Sequence, residues 1–117
     1  MREIKFRAWN EKTRHFTKDS DNAYLSRNDT DIIVDQYTGL KDKNGKEIYE
    51  GDIVRAVGEI TLNDDIADNP IAEVVWVDSA AAFGEKFTIK KSPMVPFGMY
   101  SYEVIGNIHE NKELLGE

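Results

Sequence analysis

The chain of 117 residues contains no cysteine, which excludes disulfides, thiolate metal sites and cysteine nucleophiles and fits a reducing compartment. It contains two histidines, His15 and His109, and neither has a sequence neighbour at metal-ligand spacing. Serine nucleophile elbows, phosphate-cradling glycine loops and zinc signatures are also missing. No apolar run approaches the roughly 18 residues of a membrane span, and the opening MREIKF lacks the apolar centre of a signal peptide. These absences predict a cytoplasmic protein that is not an enzyme, needs no cofactor or metal, and has no membrane partner.

Basic charge is scarce as well. Fifteen Lys and Arg face 22 Asp and Glu, for a net charge of −7, which argues against nonspecific binding along a DNA backbone. The charge is uneven, because residues 1–18 carry six basic side chains against Glu3 and Glu11 while the rest of the chain is acidic. A basic opening on an acidic body suits docking onto an acidic partner or onto a second copy. With 40% hydrophobic and 32% charged residues, residues 1–117 read as a single globular domain.

The most informative stretch is 36–54, QYTGLKDKNGKEIYEGDIV. Asp42, Lys43, Asn44 and Gly45 make a tight turn: Asp accepts from amides two residues on, and Gly adopts positive φ without a Cβ clash. This predicts a hairpin with either a type I′ turn or a type I turn followed by a bulged glycine. Gly51 and Asp52 form a second corner, of the kind that bends the sheet of a small barrel. Lys43 and Lys46, with Lys41, are exposed on the hairpin tip and are candidate contacts for a phosphate or an acidic partner.

Elsewhere alternation dominates. Ile4, Phe6 and Ala8 are expected to face inward, with Trp9 on the opposite face, either covered or available for binding. Residues 17–31 read as a loop whose Asp19 start fails the calcium-loop test, since Tyr24 and Thr30 stand where Gly and Glu are needed. Residues 63–70 read as another loop carrying Asp64, Asp65 and Asp68, three solvated acids rather than a cation site. IAEVVWVD at 71–78 is apolar on both faces and predicts a central strand. A helical turn is expected near 79–83, limited by Gly84, and Phe87 and Ile89 are expected inward. SPMVPFGM at 92–99 has Pro93, Pro96 and Gly98, which forbid regular structure, among apolar Met94, Val95, Phe97 and Met99. Such a loop either folds over the open end of a barrel or offers Met94, Phe97 and Met99 to a partner. A last strand near 100–108 is followed by a helical turn through Leu115, with Asn111 as its cap.

Three stretches in order, REIKFRAWN at 2–10, the centre at 36–54 and EVIGNIHENKELL at 103–115, resemble the YopX family of phage and prophage proteins. The resemblance implies a mostly β fold and a phage or prophage origin, and brings no catalytic residue. Where the family often has proline, this chain has Lys112.

The expected architecture is therefore mainly β: a small antiparallel barrel-like domain, SH3- or OB-like, with hairpins and a short C-terminal helical turn. The expected function is that of a non-enzymatic accessory protein that binds a host or phage protein and self-associates, with Met94, Phe97, Met99, Trp9, Lys43 and Lys46 as candidate contacts. The alternative is a barrel that binds single strands by stacking bases on Trp9, Tyr37 or Tyr49. A third reading, an acidic DNA mimic, is weakened by a charge too mild to copy one phosphate per ~1.7 Å.

Overall fold

Period-two alternation and turn residues between short runs dictate strands. The computed structural model, which describes residues 3–17, 31–62, 64–90 and 92–116, is built of antiparallel β-strands that curl into a half-barrel. The loop-like stretch with Asp19 and Asp21 lies outside the described residues. In one sheet β2 (His15–Phe16), β1 (Phe6–Asn10), β3 (Ile32–Lys41) and β4 (Glu47–Tyr49) lie in that order. In a second sheet the order is β10 (Tyr102–Asn107), β5 (Asp52–Ala56), β8 (Ile71–Val77) and β9 (Ala82–Phe87). β6 (Glu59–Leu62) and β7 (Asp65–Asp68) form a separate two-stranded ribbon. The expected central strand is β8, held between β5 and β9. A 3-10 turn at Asp78–Ala80 precedes β9, and another at Lys112–Leu115 follows β10.

The hairpin between β3 and β4 resolves the two turn types. The Gly45 amide donates to Asp42 O at 3.0 Å and the Asp42 amide to Lys46 O at 2.7 Å. Gly45 has φ +82° while Asn44 stays out of the left-handed region, so the turn is type I with a bulged glycine. Asp42 does more than close the turn. Its Oδ1 accepts from the amides of Asn44 and Lys46 at 2.9 Å each, and its Oδ2 accepts from the amide of Val104 on β10 at 3.0 Å. One carboxylate thus joins a local turn to a strand of the other sheet.

The apolar core lies under β5, β8 and β9. Ile48, Val54, Val74 and Phe87 are essentially inaccessible, with Phe83, Phe97 and Tyr102 closing around them. Each such side chain contributes ~1.5–3 kcal/mol by leaving water. The 92–99 loop completes this core. Met94 exchanges two backbone hydrogen bonds of 2.9 Å with Glu85, and the Phe97 amide donates to Phe83 O at 2.9 Å, so the loop covers the outer edge of β9. Gly84 permits the approach: a Cβ there would lie 2.8 Å from Met94 O.

Three local expectations change. Residues 65–68 are a strand, not a loop; they pair with β6, but only Ile60 and Leu62 of the ribbon are buried, so the outer strand carries a loop's composition. Ile89 is exposed, because β9 ends at Phe87 and the chain turns. Asn111 takes the cap position of the last turn without a side-chain cap; its Oδ1 accepts from the Asn107 amide at 3.2 Å.

Burial pushes the Asp42 carboxyl up, but the amide donors of Val104, Lys46 and Asn44 outweigh it and hold the group below the ordinary carboxylate value. Its stabilisation is therefore present above the unfolded value of 3.8 and is lost as pH falls through the lower folded value. Asp42→Ala should cost about 2–3 kcal/mol in urea unfolding at neutral pH. The gap from the parent protein should narrow below about pH 4; a gap unchanged on acidification would mean that the ionised carboxylate is not the stabilising form.

Candidate functional site

Two places in the molecule combine chemistry that the strands alone do not require. The first is a buried polar cluster centred on Arg7. β1 turns Arg7 and Trp9 inward: Trp9 is covered, at 1% exposure, and Ala8 is buried as expected, whereas Phe6 and Ile4, expected inward, are exposed at 46% and 70%. The reason is that Arg7 is fully partnered. Its Nε donates to Asp35 Oδ2 of β3 at 3.0 Å, and one terminal nitrogen lies 2.8 Å from Asp52 Oδ1 of β5. The guanidinium is sandwiched between the rings of Phe16 and Tyr49, at 4.6 and 4.8 Å from their centroids.

His109 enters the cluster from the segment after β10. Its ring Nε2–H donates to Asp35 Oδ2 at 2.9 Å, and its ring stacks on Trp9 with centroids 5.2 Å apart and planes at 13°. Asp52 Oδ2 also accepts from the Tyr49 amide at 2.8 Å, so the Gly51–Asp52 corner is fixed by its own aspartate, as expected. Burial raises the Asp52 carboxyl above its ordinary value, against the opposing pull of Arg7. The side chains of Asp35, Asp52 and His109 are 5%, 3% and 4% exposed. A histidine–aspartate pair of this kind can move protons when a substrate reaches it; here the imidazole stacks on Trp9 and meets Phe16 edge-on.

The second place is an apolar groove of about 450 Å³ between the C-terminal part of β3 and the β8–β9 hairpin. Ile4, Leu40 and Trp76 line it at 70%, 40% and 42% exposure. Pro96 and Phe97 wall it from the 92–99 loop. Trp76 is steadied by an edge-on contact with Phe83 at 5.1 Å. β8 turns its buried face, Ala72 and Val74, into the core, and Trp76 continues that face past the core's rim.

The sequence-derived candidates separate accordingly. Phe97 is 8% exposed and belongs to the core, Met94 packs against that core, and Met99 stands out at 67%. Of the aromatics considered for base stacking, Trp9 is covered and so is Tyr37 at 4%, while Tyr49 is half-buried with the Arg7 guanidinium over its ring. Lys43 and Lys46 are exposed on the hairpin tip, away from the residues of the groove. Asp64, Asp65 and Asp68 lie exposed on the ribbon, and no group of three or more potential ligands assembles among the described residues. No helix among them is long and apolar enough to cross a membrane. Sequence reading passed over Arg7, Asp35 and His109 as a unit, because their separations of 28 and 74 residues leave no local trace. Leu40 and Trp76 were also missed as surface groups.

Comparison with known proteins bears on the same geometry. The model of the YopX protein family matches residues 17–116. The chain belongs to the YopX family. The YopX match takes in the centre and the closing stretch, and with them Asp35, Asp52 and His109 of the cluster; Arg7 precedes it. In fold, this YopX protein is similar to the crystal structure of protein EF1440 from Enterococcus faecalis, at 24% identity and a TM-score of 0.58, over 97% of this chain and 98% of that one. A search of curated proteins found no match.

Removing the Arg7 charge should strand two buried carboxylates. Arg7→Met is expected to lower unfolding free energy by about 3–5 kcal/mol. Adding Asp35→Asn and Asp52→Asn to that variant should recover at least ~1 kcal/mol in the same melts. If the added asparagines cause a further loss, the cluster is not a charge-compensated unit.

Proposed function

We propose that this YopX protein is a phage or prophage accessory protein that acts by binding, not catalysis. Its groove takes an apolar segment of a host or phage protein in the bacterial cytoplasm, and the same face supports self-association. The observation that carries this reading is the groove itself: Ile4, Leu40 and Trp76 keep large apolar surfaces in water although the protein has a well-filled core beside them. A Trp and a Leu at the rim of a concavity, backed by the rigid Phe83 and Phe97 rings, match the aromatic anchors that dominate binding energy at protein interfaces. The ionisable cluster around Arg7 supports the non-catalytic part of the reading, since its histidine is covered and its carboxylates are engaged. The contrast between the basic residues 1–18 and the acidic remainder supports attraction between copies.

Phe97 is unsuited to testing this, because it is buried and its loss would unfold the core. Ile4→Ser with Leu40→Ser changes exposed groups and should leave stability within about 1 kcal/mol. Tagged parent and variant proteins are used to capture partners from host lysate with and without nuclease, while light scattering reads the oligomeric state. A discrete protein retained by the parent after nuclease, and at least ~10-fold depleted with the variant, is the expected result. Equal capture by both proteins rejects the groove, and capture abolished by nuclease rejects protein binding in favour of nucleic acid.

A further inference from the structure

Glu85 is the most deeply buried acid outside the Arg7 cluster, at 0% exposure in the middle of β9. One of its oxygens, Oε2, accepts from the hydroxyl of Tyr102, itself 3% exposed; the other, Oε1, has no hydrogen-bond partner among the described residues. The same two residues hold the 92–99 loop. The backbone of Glu85 exchanges hydrogen bonds with Met94, the Tyr102 hydroxyl accepts from the Gly98 amide at 3.2 Å, and the Tyr102 ring stacks on Phe97 at 4.6 Å. Among the described residues, the hydrogen bonds named here that hold the loop run to residues 83–85 of β9 or to Tyr102.

We propose that Glu85 and Tyr102 form a proton-dependent latch: with the Glu85 carboxyl neutral the 92–99 loop is closed on β9, and loss of its proton to solvent releases the loop.

A carboxylate buried with one hydroxyl donor and an unpartnered second oxygen is poorly solvated. Among the described residues, the groups packed around it are apolar side chains, backbone and a hydroxyl. β8 places Val74 opposite it, β10 supplies Tyr102, and the loop supplies the Met94 backbone and Phe97. Glu73 and Lys86 are opposed to each other in the β8–β9 register, one position along from the Val74–Glu85 pair. Tyr100, a further ionisable group, packs edge-on against Tyr102 at 6.2 Å. Burial pushes the Glu85 carboxyl up to about 7, with the Tyr102 hydrogen bond opposing, and burial likewise raises the Tyr102 hydroxyl, which stays a donor. The closed state therefore holds the proton more tightly than an open state with an ordinary carboxyl near 4.5. Its advantage is complete below that ordinary value and declines as pH rises through about 7. Because Pro96 and Phe97 wall the groove, its shape follows the latch; that consequence rests on the binding reading above, whereas the latch does not.

The test is NMR on the unsubstituted protein with carbon-labelled glutamate, following the Glu85 carboxyl carbon together with amide protection factors at Met94 and Phe97 from about pH 6 to about pH 8.5. The expected result is a carboxyl midpoint near 7 and an about 10-fold loss of protection from about pH 6 upward that levels off above that midpoint. Glu85→Gln, which cannot ionise, should keep protection constant over that range. A Glu85 midpoint in the ordinary carboxylate range, or loop protection that ignores the Glu85 titration, overturns the latch. Both are read on the parent protein, so they decide the matter even if Glu85→Gln does not fold, and they do so whether or not the groove binds anything.

Discussion

Arg7 cannot shed its charge at any pH a cell meets, so a fold that draws it inward must bring acids to it. Asp35 comes from the middle of β3 in one sheet and Asp52 from the start of β5 in the other, so one guanidinium fixes the spacing of both layers. His109, bonded to the same Asp35 oxygen and stacked on Trp9, brings in the segment after β10. A backbone bond between the sheets runs alongside: the Lys43 amide, on the β3–β4 hairpin, donates to Tyr102 O of β10 at 2.8 Å. With the partners removed one at a time, each leaves an uncompensated charge in a dry site, which is why the unit holds together as a whole.

This polar junction sits beside the apolar core rather than within it. The core proper is filled from β5, β8, β9 and the 92–99 loop, while Trp9, Phe16 and His109 pack around the Arg7 site. The groove opens between the two, where β3 runs beyond the end of β1 and meets the β8–β9 hairpin. Its apolar lining is held in place from beneath by buried rings, and a rigid exposed surface of that kind loses little side-chain freedom on binding. The 92–99 loop serves two ends at once, covering the β9 edge against unwanted strand pairing and shaping one wall of the groove.

Much of the scaffold was legible because its causes are local. The turn at Asp42–Gly45, the Gly51–Asp52 corner, the central position of β8 and the short final turn all follow from residues within a few positions of one another. The face of β1 was misread because an arginine looks like a solvent residue until its acids are known, and those lie 28 and more residues away. Trp9 gave a hint, since it shares a face with Arg7 and tryptophan is seldom left in water. Glu85 had a comparable signal: it alternates in step with Phe83 and Phe87, both buried, yet an acid between two phenylalanines reads as a surface position. The 92–99 loop was legible as irregular and covered, and its partition into buried Phe97 and exposed Met99 depended on where β9 ends. Leu40 and Trp76 meet only through the packing of two sheets, so no periodicity could place them on one groove.

Native-state hydrogen exchange on the unsubstituted protein addresses the junction directly. Amides that tie the sheets to one another, those of Lys43 and Val104, should exchange with the same free energy as a core amide such as that of Ala56, because the Arg7 cluster makes both sheets open together. Exchange of Lys43 and Val104 at a distinctly lower free energy than Ala56, with the second sheet otherwise still protected, would show that the sheets separate independently and would contradict a fold clamped by Arg7.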